Sequence, residues 1–200
     1  MSESSIDDDT EGMSRLQNLY EDEEYWATEL ESLYSNISSA LEIAGLDNTE
    51  YKGLADKYKG VKETAQQSQI SNLLDMTGIS GDLAEQLSKA QENKAAQKAI
   101  QDAITTAGGE LSEADLQESI NASDAIIAAY TAIIEQATSK LESGEFEGNA
   151  DAISKLQTLI SETSNSLLAE QVEKVATQHG IDTKYTDQLQ KNLSDTKTRG

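Results

Sequence analysis

The chain has 200 residues, no Pro, no Cys, one His and a formal net charge of −22. Apolar residues make up 36%, below the roughly 45–50% of an ordinary globular domain, so the expected core is thin, as in long helices packed side by side. Without clustered Lys or Arg, nucleic acid and anionic membranes are not expected partners. Without Cys there is no disulfide or thiolate metal site, and no window of ~18 apolar residues offers a membrane span.

The charge is uneven. Residues 1–50 hold fourteen Asp/Glu against Arg15, a net of −13, whereas residues 51–100 hold seven Lys against six acids, a net of +1. The acid can serve solubility, or the first segment can meet the Lys-richer second one, within a chain or between chains.

Residues 1–12 are Ser/Asp-rich, and a flexible acidic tail is expected there. Asp7-Asp8-Asp9-Thr10-Glu11-Gly12 resembles the first half of an EF-hand loop, but Ser14 and Asn18 stand where an apolar residue and a bidentate Glu are required. A solvated tail is therefore the reading.

A first helix is predicted from about 13 to 44. Leu16, Glu23, Leu30, Ile37 and Ala44 recur at one heptad position, with Leu19, Trp26, Leu33 and Ala40 three residues on. Tyr20, Ala27, Tyr34 and Leu41 lie beside them. This stripe, interrupted only at Glu23, must be covered by other helices, of its own chain or of another. Its candidate interaction residues are Leu16, Leu19, Tyr20, Trp26, Leu30, Leu33, Tyr34 and Ile37, together with the acids Glu21, Asp22 and Glu24. Glu23 is expected to fix register or to pair with a Lys of the second helix.

Gly45 supplies a left-handed stop. Asp47 or Asn48 can cap a second helix, about 49–77, whose stripe of Tyr51, Leu54, Tyr58, Val61 and Ala65 loosens at Gln66–Gln69 and recovers at Ile70, Leu73 and Leu74. Gly53 and Gly60 share a face and could admit another backbone, or simply weaken the helix. After Gly78, Ser80 or Asp82 opens an Ala-rich third helix to about Ala107. Ser112 with Asp115 forms a capping-box-like pair, and Leu111 with Leu116 a hydrophobic staple, ahead of a fourth helix to about Ser143. That helix is the most apolar and is expected at the centre. Phe146 lies on the next loop, tucked into a bundle end or exposed to a partner. Asn149 caps a fifth helix. His179-Gly180-Ile181 has the form of a Schellman stop, after which Asp182 can cap a short sixth helix with Tyr185, Leu189 and Leu193.

No stretch alternates with period two. The expected fold is all-α: an elongated bundle of five to six helices with coiled-coil-like packing. It forms a single domain over 13–196, between the tail 1–12 and a frayed end 197–200.

No catalytic site, cofactor or metal site is expected. The lone His179 has Ala176, not Glu, three residues before it, and no Gly-x-Ser-x-Gly elbow or phosphate loop exists. The carboxylates of 21–24 point in different directions on a helix, unlike a general acid–base pair. The three Asn-x-Ser sequons fall inside predicted helices and are treated as chance.

The chain's general character resembles the secreted helical subunits of type III secretion systems, both needle-tip filament and translocator-associated. The shared traits are a small acidic Cys-free chain, the Ser-rich start MSESSI, no classical signal peptide and Ala/Ser/Gln-rich helices. The resemblance implies export unfolded and polymerisation at the cell surface through helices 1 and 5, and it carries no functional residue across. It makes the chain a non-enzymatic assembly protein whose partner is a protein, either a copy of itself or another helical chain. The alternative is an acidic phage-encoded or cytoplasmic adaptor or inhibitor that binds a basic partner, including by nucleic-acid mimicry. Secretion without a classical signal peptide and residence in the cytoplasm are both open.

Overall fold

The computed structural model describes residues 3–199. They form five helices: α1 (Glu3–Ile43), α2 (Thr49–Thr77), α3 (Gly81–Thr106), α4 (Glu113–Glu142) and α5 (Ala150–Arg199). No strand occurs among the described residues, so the all-α expectation holds. The chain divides into two compact units, Met1–Ile79 with Lys140–Glu162, and Ser80–Ser139 with Thr163–Gly200, where the sequence suggests one bundle over 13–196.

The turns form where glycine marks them. Gly45 has φ 70°, and the Leu46 N–H donates to the Leu41 carbonyl at 2.9 Å, closing α1. Asp47 accepts from the Thr49 N–H at 3.0 Å just before α2, whose cap position is Asn48. Asn48 Nδ2 donates back to Ser38 Oγ at 3.1 Å and ties the turn to α1. Gly78 (φ 64°) closes α2, and the Ser80 side chain accepts from the Asp82 N–H at the start of α3. At α4 the reciprocal pair forms: the Ser112 N–H donates to Asp115 Oδ2 at 2.8 Å and the Asp115 N–H to Ser112 Oγ at 3.1 Å. These bonds hold the Asp115 carboxyl below the usual range. Asn149 Oδ1 accepts from the Ala152 N–H and caps α5.

Two expectations are corrected. The tail predicted over 1–12 is helical from Glu3; residues 1 and 2 lie outside the described residues. No Pro or Gly precedes Gly12, so no helix-breaking residue interrupts this stretch. The EF-hand-like hexapeptide is therefore helix, not loop. The stop predicted at His179-Gly180 is also absent, because α5 runs unbroken from Ala150 to Arg199. Gly180 does not adopt the positive φ that a Schellman stop requires, so it costs about 1 kcal/mol against Ala but leaves the hydrogen-bond ladder intact.

In the first unit α1 and α2 pack as an antiparallel hairpin. Its fully buried aliphatic side chains are Ile70, Leu73, Leu74, Leu156 and Leu159. Gly53 and Gly60 have open space where a side chain would be, so no backbone approaches them. In the second unit α4 supplies most of the buried side chains, among them Ile120, Ile126, Ala129, Tyr130 and Ile133. α3 runs antiparallel to α4, with Gln101 Nε2 on the Asp115 carbonyl (2.8 Å) and Gln91 Nε2 on the Tyr130 hydroxyl (3.4 Å). Phe146, on the loop before α5, is half-buried under Lys140 Nζ, 5.7 Å from the ring centre.

Candidate interaction surface

Helix α1 carries two heptad seams. Spacings of three and four residues join Met13, Gln17, Tyr20, Glu24, Ala27, Glu31, Tyr34, Ser38 and Leu41. The same spacing joins the aliphatic stripe from Leu16 to Ala44. The first of these faces inward: Ala27 is 2% exposed, Gln17 and Ser38 are buried, and every other member is half-buried. The second faces out. Trp26 is 63% exposed and Leu19 61%, with Leu16 and Leu33 also exposed and only Leu30 and Ile37 half-buried.

Specific pairings explain why the more polar seam turns inward. The α2 face opposite is Tyr51, Ala55, Tyr58, Lys62, Ala65, Gln69, Asn72 and Met76, also at heptad spacing and all buried or half-buried. Gln69, fully buried, donates through Nε2 to Glu24 Oε2 at 2.5 Å, and Gln66 donates to Glu24 Oε1 at 3.0 Å. Asn72 Nδ2 donates to the Met13 carbonyl at 2.9 Å and to Gln17 Oε1 at 3.2 Å. Lys62 pairs with Glu31 at 3.8 Å. Tyr34 stacks on Tyr58 with centroids 5.7 Å apart, an arrangement that contributes about 1 kcal/mol beyond its buried area. A carboxylate met by two amide donors is a satisfied polar group, and shape-matched aromatic layers do the rest.

The sequence-derived residues therefore separate. Leu16, Leu19, Trp26 and Leu33 lie on the open seam, while Tyr20 and Tyr34 belong to the hairpin interior. Glu21 and Asp22 are exposed, but Glu24 is engaged inside. Glu23 is exposed on the open seam and has no ion pair among the described residues; the acid that meets a Lys of α2 is Glu31. Tyr25 and Trp26, both exposed, sit edge to face at 5.4 Å.

A related arrangement occurs in α5 beyond Glu162; before it, Leu156 and Leu159 are buried. Its inward face is Thr163, Leu167, Glu170, Lys174, Thr177 and Ile181, again at three- and four-residue spacing. Buried Glu170 is held by Lys94 Nζ at 2.8 Å, which also reaches Glu173 at 2.7 Å. Burial alone would lower the Lys94 ammonium, but the hydrogen bonds to Glu170 and Glu173 outweigh it and raise it. Lys174 pairs with Asp124 of α4. The outward face carries Leu168, Val172, Val175, Leu189 and Leu193, all exposed, with His179, Asp182 and Thr186 between them. Every residue from Asp182 to Thr198 is exposed. Sequence reasoning missed this second open seam because it cut the helix at Gly180. Reading heptads through the glycine, from Leu168 to Leu193, would have found it.

A cleft of about 190 Å³, lined by α1 residues such as Gln17 and Glu21 and α5 residues such as Asp151 and Lys155, is smaller than the roughly 300–1,000 Å³ of ordinary ligand pockets. Glu162 is the one strongly perturbed acid among the described residues. Burial, then the charges of Glu24 and Glu21, push its carboxyl up to about 7, and its Oε2 is buried without a partner. It does not line the cleft. No cluster of His, Cys, Asp and Glu among the described residues has metal-binding geometry, and no helix among them is long and apolar enough to cross a membrane.

No family, curated protein or solved structure matches the chain.

Proposed function

We propose that this chain is a non-enzymatic assembly protein that docks helices along the open seam of α1. One observation supports the reading: α1 buries its polar seam and leaves Leu16, Leu19, Trp26 and Leu33 exposed in a heptad row. An aliphatic row with a 3.5-residue repeat is what a partner helix packs against by knobs-into-holes, and exposed apolar patches of this kind mark interaction sites. The finer reading, a secreted filament or tip subunit, rests on the general character of the sequence.

The test is light scattering behind size exclusion on the wild-type chain and on Leu19→Glu/Leu33→Glu. Both residues are exposed, so helix content and melting temperature stay within about 0.5 kcal/mol of stability of the wild type. Wild type forms oligomers and the double variant does not. A wild type that stays monomeric at high concentration and captures no helical partner overturns the proposal.

A second reading, an adaptor for a basic partner, is supported by Asp22 standing exposed beside the same seam and Glu23 exposed on it. It expects a discrete monomer or dimer whose binding is lost with Asp22→Asn/Glu23→Gln.

A further inference from the structure

Resting on the assembly reading, we propose that the occupant of the α1 seam is the outward seam of α5 from a second copy, in parallel orientation, with Leu16 beside Val172.

A second α1 fits poorly. A parallel α1–α1 pair sets Glu23 against Glu23 at facing core positions. An antiparallel pair sets the flank of Asp22 and Glu29 against itself. The α5 seam has neither fault. In this register the positions facing the Asp22 and Glu29 flank are Thr183 and Gln190, both uncharged.

The apolar positions match as well. Leu16 meets Val172 and Leu19 meets Val175 at one end; Leu33 meets Leu189 and Ile37 meets Leu193 at the other. The interruptions coincide. Glu23 falls opposite His179, the chain's only imidazole, and Trp26, whose indole N–H can only donate, falls opposite the Asp182 carboxylate. Leu30 meets Thr186. Each polar group in the middle of one seam thus finds its complement in the other, which fixes register as a polar core position does in a coiled coil. The paired length, from Leu16 to Ile37, is just over three heptads or about 32 Å, enough to sustain a coil. All of these α5 partners are exposed. Because the two faces differ, the contact is heterologous, and copies add head to tail into a ring or an open filament.

The chain has no Cys, so single cysteines report contacts cleanly. Leu19→Cys and Val175→Cys proteins are prepared separately, mixed under mild oxidation and analysed by mass spectrometry. The expected product is a dimer joining residue 19 to residue 175, formed in the mixture at least tenfold faster than in a mixture of Leu33→Cys with Val175→Cys, which is two heptads out of register. Glu23→His and His179→Glu each weaken association several-fold, and the two together restore it. Assembly without the 19–175 bond, or with a 19–19 bond in its place, overturns this pairing and leaves the assembly reading standing. A strictly monomeric wild type by light scattering also overturns this pairing, and it overturns the assembly reading too when no helical partner is captured.

Discussion

Glu162 is the residue whose environment most clearly costs stability. Its carboxyl is pushed up to about 7 by burial and by Glu24 and Glu21, against an ordinary value near 4.5. A group raised in the folded state favours folding fully below the unfolded value and loses that contribution as pH rises through the folded one. Wild-type stability is therefore expected to fall between about pH 5 and pH 8. Glu162→Gln removes this loss, and at pH 8 it is more stable by about 1–2 kcal/mol, after discounting the full shift for solvent screening. Below about pH 4.5 the two proteins converge. Urea titrations at pH 4, 6 and 8 measure the difference between them; a constant offset across that range means that the buried charge of Glu162 is not what separates the two proteins.

At the scale of the helix, Gly180 separates what the sequence discloses from what it conceals. Gly45, Gly78 and Gly108 adopt positive φ and end their helices where the sequence suggests, and the Ser112–Asp115 pair opens α4 as expected. Gly180 looks the same in the sequence but sits inside a 50-residue helix, without the positive φ of a stop. A Cβ there would meet Leu116 Cδ1 at 3.9 Å, an ordinary contact. Gly180→Ala is therefore expected to stabilise the protein by about 0.5–1 kcal/mol, read as a rise in melting temperature. The seam of α1 is legible as a 3.5-residue repeat, but its direction is not. Hydrophobicity ranks Leu16, Leu19 and Leu33 as core, whereas the choice depends on long-range matches such as Glu24 with Gln69 and Tyr34 with Tyr58. Gln66–Gln69, a stretch that reads as a loosening of the α2 stripe, supplies both amide donors to Glu24.

For the whole molecule, α1 keeps charge and amide groups inside and an aliphatic row outside, and α5 leaves an aliphatic row exposed beyond Ser166. The −22 net charge holds copies apart at low ionic strength, where screening reaches only weakly, and less so at about 0.15 M salt. Self-association is therefore expected to strengthen from low to physiological salt, while capture of a basic partner would weaken; the sign of the change in scattering mass separates the two readings. Sequence shows the charge and the α1 row but not whether that row is free, since a heptad row serves an internal hairpin and an intermolecular coil equally well. The segment from Asp182 to Thr198, exposed at every residue, carries a further consequence. An exposed stretch at the end of a helix has little packing to hold it and opens readily, and Lys184 and Lys191 lie within it. Trypsin thus has its easiest cuts there, and the rate at which the C-terminal peptide is released reads out how much of that helix is covered.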